Sequence, residues 1–66
     1  MEKVIITVKG TNKDMNIKMN GSVEELLLAI GGQIDVLAKR KGVNPLSVAA
    51  AAIAQYSTYE PTIKED

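Results

Sequence analysis

An α+β fold of the order ββαα, assembled as an oligomer, follows from three features of the chain. Two short stretches near the N-terminus alternate apolar and polar residues with period two. A long helical stripe follows, with a start signal and a stop signal at its ends. A second helix comes directly after it and is apolar on nearly every side. Strands read with period two and helices with period 3.6, so the switch in period marks the change of element. With 66 residues the chain holds one domain, read as residues 1–57 with a flexible tail over 58–66.

The first strand is KVIITVK, residues 3–9. Val4, Ile6 and Val8 point one way, Lys3, Thr7 and Lys9 the other, and Ile5 is the exception. Its β-branched residues suit a pleated surface. The run Gly10-Thr11-Asn12-Lys13-Asp14 has turn chemistry, and Met15, Ile17 and Met19 then alternate with Asn16, Lys18 and Asn20. A connection this short makes a hairpin. A lone hairpin is marginal in water, so the helix pair is expected to cover its apolar face.

Helix 1 is read over 23–41. Ser22 and Glu25 form a capping box, and Glu24 and Glu25 suit the positive end of the dipole. Lys39, Arg40 and Lys41 fill the last turn and Gly42 follows as the left-handed stop. Val23, Leu26, Leu27, Ile30, Ile34, Leu37 and Lys41 share one face. That stripe passes through Gly31 and Gly32 without a change of phase, which favours one continuous helix. Each glycine in a helix interior costs about 0.8–1 kcal/mol relative to alanine, so the pair calls for a reason. Gly31 and Ala38 are assigned to close packing against the alanines of helix 2. Gly32 lies nearly opposite the core stripe, between Leu28 and Val36, and this apolar line is read as the crossing point of a helix from a sister subunit or another protein.

Helix 2 is read over 45–57, with Asn44 as N-cap, Pro45 at the first helical position and a hydrophobic staple from Val43 to Val48. The sequence PLSVAAAAIAQYS offers few polar positions, and a helix apolar all round is buried all round. One side can cover the hairpin. The other, with Val48, Ala52 and Tyr56, is left for a partner chain.

Composition narrows the function. The chain has no cysteine and no histidine. Disulfide frameworks, zinc fingers and thiol–imidazole or Ser-His catalysis are thereby excluded. Eight basic residues balance eight acidic ones, so no general field draws the chain to nucleic acid or an anionic membrane. Two tyrosines are too few for a base-stacking platform. No apolar run approaches a membrane span, and the N-terminus lacks a secretion signal, which reads as a cytoplasmic protein. No carboxylate pair has an acid–base or metal spacing, so no enzyme, cofactor or metal is expected. Asp35 and Lys39 are helix neighbours suited to an exposed ion pair.

The stretch LAKRKGVNPLSVAAAAIAQY, residues 37–56, joins a basic helix end through glycine and an N-cap to a second helix. With the strand before it, this resembles the second half of the ribbon–helix–helix DNA-binding family over residues 15–56. The resemblance implies a transcription regulator in which Asn16, Lys18 and Asn20 read bases and Asn44 and Ser47 hold a phosphate. Helix 1 is more than a turn longer than in that family, an extra strand precedes the ribbon, and the net charge is zero. In general appearance the chain is also similar to small proteins of phage and prophage genomes, which often bind and block a host factor. The leading expectation is therefore a non-enzymatic homo-oligomer that binds a protein partner through Leu28, Gly32, Val36, Val48, Ala52 and Tyr56. The DNA-binding regulator is the alternative.

Overall fold

The computed structural model describes residues 3–66. Its elements are β1 (Ile5–Gly10), β2 (Asp14–Asn20), α1 (Val23–Lys41), α2 (Pro45–Tyr59) and β3 (Thr62–Glu65). The α+β class of the sequence reading holds, with one addition. The sheet has three strands in the order β1-β2-β3, and it is mixed. β1 and β2 pair antiparallel, with Ile6 opposite Met19 and Val8 opposite Ile17. β3 pairs parallel to β2, with Met15 opposite Ile63. The segment expected as a tail over 58–66 thus holds the last turn of α2 and a strand. Its backbone is tied in by Thr62 N–H donating to the Lys13 carbonyl at 2.9 Å and Asp66 N–H donating to the Ile17 carbonyl at 2.9 Å.

Residues directly opposite one another project from the same face of a sheet. Ile6, Val8, Met15, Ile17, Met19 and Ile63 therefore form one apolar face, with Glu65 at its edge. Ile5, Thr7, Lys9, Asn16, Lys18, Asn20 and Lys64 form the other.

Both helix starts follow their local signals. At α1 the Ser22 hydroxyl accepts from Glu25 N–H at 3.2 Å, and the Glu25 carboxylate accepts from Ser22 N–H at 3.0 Å. The Ser22 backbone N–H, and then its side chain, hold the Glu25 carboxyl below the ordinary value of 4.5. A depressed acid stabilises the fold fully above its unfolded-state value and loses that contribution as pH falls through the folded-state value. Stability is therefore expected to decline below pH 4.5. In Glu25→Gln, thermal melting followed by circular dichroism across pH 2–6 should show a shallower acid limb. An acid limb identical to that of the unaltered chain would count against the box.

α1 runs unbroken through Gly31 and Gly32 and ends at Gly42, whose φ of 70° is the left-handed stop. Val43 N–H then reaches the Ala38 carbonyl at 3.0 Å. α2 begins as expected, the Asn44 side chain accepting from Leu46 N–H at 2.8 Å. It runs two residues beyond the expected end, to Tyr59, because Thr58 and Tyr59 continue the turn and Pro61 is the first residue that cannot. Glu60 closes it in the left-handed region at φ 45°.

The largest departure concerns packing. α1 leaves from the Asn20 end of β2, and α2 returns to the Asp14 end, where β3 starts. β2 spans about 20 Å, and the helices about 28 and 22 Å. The three make a triangle with its apex at the α1–α2 turn. The helices meet each other there, but neither lies broadly on the sheet. The molecule is a plate of 33 × 29 × 17 Å. Ala38, at 1% exposure, is the one buried residue among those described. The expected helix cover over the hairpin is not made within the protomer, because the helices spring from opposite ends of the central strand and converge away from it.

Candidate interaction surface

Besides the apolar stripe of α1 from Val23 to Leu37, three apolar surfaces are open among the described residues. Among the described residues no three His, Cys, Asp or Glu side chains stand close enough to hold a metal ion. Asp35 and Lys39 make the ion pair their spacing suggests, at 2.9 Å on an exposed helix face. In water such a pair contributes little, about 0.3–0.5 kcal/mol.

The first surface is the outer side of α1. Leu28 is 78% exposed and Val36 is exposed one turn beyond Gly32. A Cβ built on Gly32 meets nothing within 4 Å. Ala29, Gly32, Gln33, Val36, Leu37 and Arg40 line an open groove of about 600 Å³ along this helix. Ala29, Gly32, Val36 and Arg40 follow one another at spacings of three and four residues, Leu37 stands at the border with the apolar stripe, and the missing side chain of Gly32 forms the notch. A second helix can approach closely there.

The second is the side of α2 that carries Val48, Ala52 and Tyr56. Val48 is half-buried near the apex, whereas Ala52 and Tyr56 are exposed. Ala52, Tyr56 and Tyr59 of α2 line a cleft of about 490 Å³ together with Asn12, Met15 and Pro61. Met15, Ala52 and Pro61 give this cleft apolar surface, and Asn12, Gln55 and the two tyrosine hydroxyls give it polar groups. The cleft depends on β3 returning the chain past Met15, so it could not be read before the third strand was known.

The third is the apolar sheet face, where Val8, Met19 and Ile63 all stay exposed.

Of the pair assigned to close helix packing, Ala38 sits at the α1–α2 contact and is buried. Gly31 does not. A Cβ there meets nothing within 4 Å, so no backbone of the same protomer approaches it. The helices touch around Ala38 near the apex and have diverged by Gly31, about two turns earlier.

The residues implied by the ribbon–helix–helix likeness fall in two places. Asn16, Lys18 and Asn20 lie on the polar sheet face. β2 is the central strand, and β3 pairs with its first half, so Asn16 lies in the three-stranded part of the sheet, whereas Lys18 and Asn20 lie where only β1 pairs with β2. The major groove admits a two-stranded ribbon. Asn44 and Ser47 are exposed at the start of α2, and the Asn44 side-chain oxygen is already taken by Leu46 N–H. No helix among the described residues is long and apolar enough to cross a membrane. No protein-family model, no curated protein and no solved structure matches this chain.

Proposed function

We propose that this chain is a non-enzymatic interaction protein that works as a homo-oligomer and binds a protein partner through the Leu28–Gly32–Val36 side of α1. The notch at Gly32 carries this reading. It lies on a helix side with two exposed large apolar residues, where a lone soluble domain would place charge. Close helix crossings favour small residues at the contact, and a helix in such a groove is a recurring mode of recognition. The side of α2 carrying Val48, Ala52 and Tyr56 adds a second apolar contact. A partner held in this way has its own surface occluded, and inhibition of a host factor is the corresponding role.

The test compares three forms of the chain as bait: unaltered, Val36→Glu, and the triple variant Asn16→Ala, Lys18→Ala and Asn20→Ala. The triple variant changes only exposed polar residues, and such changes usually move stability by less than about 0.5 kcal/mol. A partner protein retained by the unaltered and triple forms and lost with Val36→Glu is the expected result. A salt-sensitive DNA shift by the unaltered chain, abolished in the triple variant and kept in Val36→Glu, overturns the reading in favour of the regulator.

A further inference from the structure

The stripe of α1 that its own periodicity marks for burial is left open in the protomer. Val23 is 73% and Leu27 63% exposed, Ile30 and Leu37 are exposed beside them, and only Leu26 and Ile34 are half-buried. On the sheet's apolar face Val8, Met19 and Ile63 are exposed and Ile6, Met15 and Ile17 half-buried. A folded monomer of 7.1 kDa shows about 4,100 Å² of surface to water. This chain shows 5615 Å², roughly 1,500 Å² more than that expectation.

We infer that a second copy of this chain completes the hydrophobic core, covering the Val23–Leu27–Ile30–Leu37 stripe of α1 together with the apolar sheet face, and leaving the Leu28–Gly32–Val36 line outward. The inference rests on the oligomeric part of the proposed function and assigns it a surface. The surplus area points to this occupant. Obligate homodimers bury about 1,000–2,500 Å² per chain, and the surplus falls in that range. Electrostatics agree. A two-fold contact sets a patch against itself, so a charged patch would repel its own copy. The stripe from Val23 to Leu37 carries no charge, and the chain's basic and acidic residues are equal in number. A protomer with one buried residue among those described also lacks the core to stay folded until it meets a foreign partner. Folding is then coupled to association, and stability depends on protein concentration.

The chain contains no cysteine, so one introduced thiol reports on one position. Leu27→Cys and Ile30→Cys probe the stripe, and Leu28→Cys and Val36→Cys the outward line. Each is alkylated under native conditions, with its rate in urea as reference. Sedimentation mass and thermal melting at several concentrations are read on the unaltered chain, and two positions on each side guard against a variant that does not fold. The expected result is a mass of two chains, a melting midpoint that rises with concentration, and alkylation at least about tenfold slower on the stripe than on the outward line. A single-chain mass with concentration-independent melting overturns the inference and the homo-oligomer reading together. A two-chain mass with the outward line protected and the stripe freely alkylated overturns this inference and leaves the homo-oligomer standing.

Discussion

Gly10→Ala is expected to remove a large share of the stability of the fold. Gly10 closes β1 at φ 131°, a conformation that side chains rarely adopt. A Cβ there would overlap the Asp14 carbonyl oxygen and stand 3.0 Å from the Met15 Cα. Both obstacles are backbone, and the same carbonyl accepts from Thr11 N–H at 2.8 Å to close the turn. Neither can retreat without opening the hairpin. Met15 is also the residue to which β3 brings Ile63, so the damage extends across the sheet. Backbone strain of this kind costs about 1–3 kcal/mol, and the lost turn bond adds about 1 kcal/mol. A domain of this length has a total stability of about 3–10 kcal/mol. Urea titration at matched protein concentration should show a loss of about 3 kcal/mol or no cooperative transition. A midpoint equal to that of the unaltered chain would sink the account of the turn.

Ala38→Asp should be equally severe for a different reason. Ala38 is 1% exposed where α1 meets α2. An unpaired buried charge costs several kcal/mol, comparable with the whole stability of the domain. Overpacking adds to this, because the site holds only a methyl group. Ala38→Gly keeps the close approach and loses only helix propensity, about 1 kcal/mol. The pair should therefore separate widely in a thermal melt, with the glycine variant cooperative and the aspartate variant without a transition. If the aspartate variant melts like the unaltered chain, the helix pair is not held together at this point.

The local parts of the fold were legible because their causes are local. The capping box at Ser22 and Glu25, the basic last turn before Gly42 and the Asn44-Pro45 start each act within one helical turn. A stripe in constant phase was enough to carry α1 through two glycines. The hairpin follows from period-two alternation on either side of a turn sequence.

The third strand was not legible. TIKE is four residues long with a single apolar side chain, and its strand character comes from pairing Thr62 with Asp14 across both helices. Nothing in a short window encodes a contact at that separation. Gly31 failed for a related reason. The small residues of α2 are compatible with a close crossing, but the angle at which two helices leave their turn decides how far the contact extends. Here it reaches Ala38 and stops short of Gly31.

By itself the sequence determined the two strands of the hairpin and the two helices, where each helix starts and where α1 stops, and which side of α1 is apolar. Those properties arise from caps, periodicity and side-chain chemistry within a few residues. Only the tertiary structure decided that β3 returns to β2, that the helices converge away from the sheet, and that the apolar side of α1 stays open in the protomer. Periodicity specifies that a face is to be buried, but hydrophobic burial is non-directional and names no partner. What covers the face is set by where the chain ends of each helix are anchored, and here both anchors lie at opposite ends of one short central strand.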